Sequence, residues 1–273
     1  MDAQASDRIF EEIYRDHRKK RVRSRYHAVL LGSASIASGF IGWIIISHTI
    51  MPLVPDPFEV AQYVIPTVTD VWFLKSVLFT SYRIIAGFIA GAILGVPLGL
   101  MMGWNKVFDD FTFPTFELLR PVPPVAWIPL AIIVLGNLEA AMTFICFKGA
   151  FWAIVLNAKL GVEMIPESMY RAARSLGASP RQIFWKIVLP GALPSVFTGF
   201  TLGIAISAVS VVAAEMIAGN YGIGYLAWES YSLLRFPEIV IAMFTIGVIG
   251  WIYSGIVRIA GRRYLRWANI VFQ

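Results

Sequence analysis

The chain has 273 residues, of which 58% are hydrophobic and only 15% charged, with a mean hydropathy of +0.69. Such a composition excludes an ordinary soluble domain and places the chain in a bilayer. Its net charge of +6 does not indicate nucleic acid, because the basic residues flank apolar runs rather than forming a polar module with base-stacking aromatics.

Residues 1–26 form a polar, basic tail. No small-residue cleavage site follows a short apolar stretch, so this tail is read as retained rather than as a signal peptide. Uncharged runs follow at 28–47, 84–105, 121–138, 191–214 and 239–257, and 140–160 is interrupted only by Lys148 and Lys159. Each approaches or exceeds the length that spans hydrocarbon. The fold class is therefore all-α, a polytopic membrane protein with about six transmembrane helices at 27–50, 82–104, 122–138, 140–160, 195–219 and 239–258. With the N-terminus inside, 19 of the 23 Lys and Arg residues fall on the inner side, and only Lys75 and Arg235 fall outside. The positive-inside bias then puts both termini in the cytoplasm of a bacterial inner membrane, with 261–273 as a second cytoplasmic tail.

The second span carries Gly87, Gly91, Gly95, Gly99 and Gly103 at four-residue spacing, a strip of bare backbone against which another helix packs. Gly199, Gly203 and Ser207 repeat the device in the fifth span. Between spans two and three, Pro121, Pro123, Pro124 and Pro129 remove backbone donors, so the third span is entered through irregular chain. In lipid such backbone survives where protein or a water-filled cavity covers it.

The stretch from Met164 to Pro194 is too long for a simple connection and too polar to be membrane-embedded. Pro166 suits a first helical position, and Met169, Ala172, Ala173 and Leu176 recur at helical spacing. Gly177 ends that helix in a turn that calls for a positive φ. Ser179, Pro180 and Gln182 start a second helix with a capping box, and Leu189 to Pro194 breaks it. The product is a helix-turn-helix with Arg171, Arg174, Arg181 and Lys186 in water. Residues alone leave it either as a basic loop meeting anionic membrane lipid or as a docking knob for another protein.

This loop resembles the signature of binding-protein-dependent ABC transporter permeases, which reads E-A-A, three residues, G, nine residues, I-x-L-P. Here Arg171, Ala172, Ala173, Gly177, Ile187, Leu189 and Pro190 occupy that spacing, with Arg171 in place of the leading glutamate. The similarity runs over roughly 70–260, including the coupling loop 164–190. Leu118 to Leu130, Ala213 to Met216 and Gly222-Ile-Gly224 resemble the branch that imports taurine, alkanesulfonates, nitrate or bicarbonate. The resemblance implies two cytoplasmic ATPase subunits in contact with the loop, a second permease copy in a homodimer, and an extracytoplasmic solute-binding protein. It also implies no cofactor of the chain's own, ATP being bound by the partner.

No G-x-x-x-x-G-K-[ST] phosphate loop, H-E-x-x-H, C-x-x-C or G-x-S-x-G occurs, so the chain is read as a transport subunit rather than an enzyme. His17, His27 and His48 are scattered and Cys146 is single, which leaves no metal site in prospect. An ionisable residue at depth costs about 2.5–3.5 kcal/mol on insertion scales. Lys148 and Glu215 are placed at similar depth and read as a helix-fastening pair. Alternatively Lys148, with Arg83, offers positive potential to an anion, so Arg83, Lys148 and Glu215 are the candidate pathway residues. The rival function is an ion-driven secondary carrier or channel, for which buried acids and inverted repeats are expected; no convincing repeat is present.

Overall fold

The computed structural model describes residues 30–51, 53–265 and 267. The basic tail 1–26 with His17, the start of the first predicted span with His27, and most of the C-terminal tail lie outside the described residues. The chain divides into two units, Met1–Gln62 and Tyr63–Gln273.

In the first unit, α1 (Leu30–Thr49) is long and apolar enough to cross a membrane. Its end is bound to the chain that follows: Trp43 Nε1 donates to the Pro55 carbonyl at 3.0 Å, and His48 Nε2 lies 3.3 Å from the Asp56 carboxylate. Helix α2 (Pro57–Thr69) runs across the division between the units.

The second unit continues with α3 (Val71–Trp104), α4 (Lys106–Leu119), a 3-10 turn at Pro124–Trp127, α5 (Ile128–Leu135) and α6 (Leu138–Glu163). It ends with α7 (Glu167–Ser175), α8 (Pro180–Ala218), α9 (Ile223–Ser232) and α10 (Phe236–Tyr264). Helix α3 begins well before the predicted 82, because its first turns carry Lys75 and are capped by Asp70, which accepts from the Trp72 amide at 3.2 Å.

Helix α6 is the post of the unit and the most buried of the long helices. The predicted glycine strip of α3 lies on it: Gly87 meets Cys146, Gly91 Ala150, Gly95 Ile154, Gly99 Ala158 and Gly103 Val162. A β-carbon on Gly99 would stand 2.3 Å from the Val155 carbonyl oxygen, so the approach exists only with bare backbone. In lipid no hydrophobic effect drives this association, and close packing of many weak dispersion contacts does so instead. On another face of α6, Gly149 meets Ser210 while Gly161 meets Ala192 and Ser195 of α8, and Ser207 Oγ donates to the Cys146 carbonyl at 2.7 Å.

These registers settle the topology of the second unit. The α3–α6 pairs rise together in number, so the two helices are parallel, whereas the α6–α8 pairs run in opposite order. A parallel pair requires the intervening chain to return across the same thickness. The segment that does so is not the single straight span expected at 122–138. It is α4 joined to the 3-10 turn and α5 at a bend of 93°, because Pro121, Pro123 and Pro124 cannot supply the helical hydrogen bonds that would keep the pair straight. The apolar run was of spanning length, but α5 itself has only 8 residues.

A second expectation also changes. The helix starting at Pro180 is not broken at Leu189–Pro194; it continues to Ala218 through a π turn at Phe184–Val188. The wider turn lies just before Pro190, whose missing N–H would interrupt a regular ladder there.

Candidate functional site

The displayed loop is built from local signals. Helix α7 ends as Gly177 takes φ +76°, with the Gly177 amide donating to the Arg174 carbonyl at 2.9 Å and the Ala178 amide to the Ala173 carbonyl at 3.0 Å. This Schellman arrangement uses the left-handed conformation that glycine adopts without penalty. Two residues on, the Gln182 amide donates to Ser179 Oγ at 3.4 Å, and the Ser179 amide donates to Gln182 Oε1 at 2.8 Å, the capping box that starts α8.

The loop is anchored by Ala173, Ile183, Val188 and Ala192, which share one apolar cluster with Leu100 of α3 and Ala158 and Val162 of α6. Ile187 and Leu189 pack on its edge, and Pro190 is half-buried. Burial, with Glu167 nearby, pushes the Tyr170 phenol up from its usual value. Arg171, Ala172, Arg174, Arg181 and Lys186 are exposed. So is much of the apolar stripe, Leu176 being 87% exposed and Met169 outward as well, and Trp185 on the next helix is also exposed. Large apolar side chains are thus held outward on a turn that is anchored from beneath.

At the opposite end of the helices lies a second constellation. The Lys148–Glu215 pair expected from depth is not formed. Glu215 pairs with Arg83, and both are 0% exposed. Arg83 Nη1 donates to Glu215 Oε1 and to the Tyr221 carbonyl, each at 2.7 Å. Arg83 Nε donates to Glu139 Oε2 at 2.9 Å and Nη2 to Glu139 Oε1 at 2.5 Å. Glu215 also accepts from Thr80 Oγ1 at 2.8 Å and from the Gly224 amide at 2.8 Å, and Thr80 Oγ1 in turn accepts from the Ile223 amide at 2.9 Å. The two motifs noted separately, Ala213 to Met216 and Gly222-Ile-Gly224, thus form one structure. Gly222 has φ +130°, and a β-carbon there would stand 2.3 Å from the Glu215 carboxyl carbon.

Lys148 faces elsewhere. It is 5% exposed, its Nζ donates to the Val122 carbonyl of the proline-rich bend, and it lies 5.1 Å from the centre of the Trp127 ring. The Trp127 Nε1 beside it is buried and has no partner among the described residues. Sequence reasoning missed Glu139, Thr80 and Tyr221. Glu139 follows the N-cap Asn137 in the first turn of α6, where an acid reads simply as a complement to the helix dipole. Its separation of seven residues from Cys146 was the available signal, since it puts both on one face.

Residues 95–267 match the family model described as the binding-protein-dependent transport system inner membrane component. The chain belongs to this family. The permease is 33% identical over 247 residues to the nitrate import permease protein NrtB of Synechocystis sp., covering 86% of this chain and 90% of that one. It is 30% identical over 259 residues to the bicarbonate transport system permease protein CmpB of Synechococcus elongatus, covering 90% and 93%. Its fold is also that of the MetNI methionine ABC transporter in inward facing conformations, with a TM-score of 0.57 and 21% identity over 68% of this permease and 95% of that chain. As a member, the permease is a multi-pass membrane transport component that works with a solute-binding protein and an ATPase. Membership decides against the ion-driven carrier.

Proposed function

We propose that this permease imports a small planar oxyanion, nitrate or bicarbonate, as one half of a homodimer served by two cytoplasmic ATPase subunits. The observation that carries the reading is the similarity, over most of the chain, to permeases named for these two anions. Positive-inside counting supports cytoplasmic termini, which puts the α7–α8 knob on the ATPase side and the Arg83 cluster on the side of delivery. The knob's outward Met169, Leu176 and Trp185, with Arg171 among them, supply the contact, and its anchor on α3 and α6 passes movement to the spans. Of the three pathway candidates, Arg83 is the cation we assign to the anion, with Glu215 holding it in place.

A second reading puts the anion at Lys148. What favours it is a buried ammonium and an unpartnered indole N–H side by side, with no carboxylate within ion-pair reach of Lys148 among the described residues.

The test is uptake into vesicles that contain the permease with its ATPase and binding protein, using labelled nitrate, bicarbonate and an alkanesulfonate. ATP-dependent uptake of either planar anion is expected. Uptake of the sulfonate alone would overturn the substrate. Gly177→Val, at normal assembly, should abolish uptake because a β-branched residue resists the positive φ; normal uptake would remove the loop from coupling.

A further inference from the structure

We infer that Glu139 is a built-in occupant of an anion site on Arg83, and that the incoming planar oxyanion displaces it at the delivery end of the helices. This rests on the substrate reading above. The cluster holds two carboxylates for one guanidinium, and the two are not equivalent. Glu215 is 0% exposed and its oxygens take hydrogen bonds from Thr80, the Gly224 amide and Arg83. The Glu139 side chain is 43% exposed and bonds to Arg83 through its two oxygens. Glu215 is therefore the fixed counter-ion, and Glu139 is the one free to leave.

The edge of Arg83 that Glu139 covers is the Nε–Nη2 fork, whose two parallel N–H groups match two oxygens on one trigonal centre. A carboxylate has that geometry, and so do nitrate and bicarbonate. Each also carries a single negative charge, so exchange leaves the charge of the buried cluster unchanged while the Glu139 carboxylate passes into water. Without cargo, Glu139 prevents the cost of a desolvated guanidinium with idle donors. The swing needs only rotation of the side chain. Glu139 is the second residue of α6, its amide is fixed by the Asn137 cap at 2.8 Å, and its half-exposed carboxylate has open space to turn into. Arg83 by contrast is held within α3, two donors from its Nη1 already engaged.

The experiment uses the purified permease–ATPase complex, with thermal stabilisation followed against sodium nitrate at ionic strength matched by sodium chloride. Glu139→Gln weakens the internal competitor, and Glu139→Asp keeps the charge but shortens the reach. In both variants the half-saturating nitrate concentration is expected to fall about tenfold or more relative to the wild type. A value unchanged or raised in both overturns the inference, and a fall with Gln alone overturns it too, because removal of charge would then explain the effect. Should the Gln variant not assemble, the Asp variant decides by the same criterion. Uptake by the wild-type complex separates the two proposals: nitrate or bicarbonate uptake with unchanged half-saturation in the variants refutes only the displacement, whereas sulfonate uptake alone refutes the substrate reading.

Discussion

Arg83 and Lys148 are both buried basic side chains on membrane-crossing helices, yet they solve the same problem differently. Arg83 spreads a planar array of donors over α3, α6 and the α8–α9 connection, and it meets two carboxylates. Lys148 is a point charge that meets a peptide carbonyl and an indole. The contrast follows from chemistry: a guanidinium bridges several partners at fixed angles, while an ammonium satisfies whichever acceptor its stem reaches. One cation therefore ties together helices distant in sequence, and the other closes a gap that prolines leave in a single bend.

The largest effect is expected where the bridging cation loses its fixed partner. Glu215→Leu leaves Arg83 without its buried counter-ion and should cost about 3–5 kcal/mol, seen as a sharp fall in assembled permease and in its melting temperature. Assembly at the wild-type yield would mean that the two cations are not so different.

Lys148→Met should cost less, about 1–3 kcal/mol, because it strands only the Val122 carbonyl. The informative measurement is the double change of Lys148→Met with Glu215→Gln. Among the described residues the two share no partner, so their effects on melting should add to within about 0.5 kcal/mol. Mutual rescue beyond that would restore the direct pair.

That direct pair was the reading from depth, and its failure shows what the sequence conveys. Depth follows from counting residues at 1.5 Å each, but partner choice depends on azimuth. Cys146 faces α3 and α8, and Lys148, two residues on, is turned by about 200° and points away from Glu215. Glu139, seven residues before Cys146, returns to within about 20° of its direction. The glycine strip, the turn at Gly177 and the capping box at Ser179 were legible because their determinants are local. The bend before α5 was half legible: its prolines announced irregular chain, while its apolar run imitated a straight span. The meeting of Glu215 with Gly222 and Gly224 was visible only as two motifs, since nothing local says that they touch.

The smallest effect sharpens the comparison from the other side. Thr80→Val removes one hydroxyl that donates to Glu215 and accepts from the Ile223 amide, and should cost about 1–2 kcal/mol with assembly retained. A loss as large as that of Glu215→Leu would mean that the hydroxyl, rather than the guanidinium, organises the cluster.

The π turn at Phe184–Val188 has a consequence for how this protein can vary. Each such turn holds one residue more than an α turn, so everything beyond it is rotated by about 100° relative to an uninterrupted helix. The knob before the turn and the glycine face after it are thus set at independent phases on one continuous rod. A homologous chain one residue shorter between Phe184 and Val188 would have to turn a different side of the knob outward, or else pack a different side of α8 on α6. Length in this short interval is accordingly a constraint of its own, separate from the packing of Ile187 and Val188 on the cluster beneath.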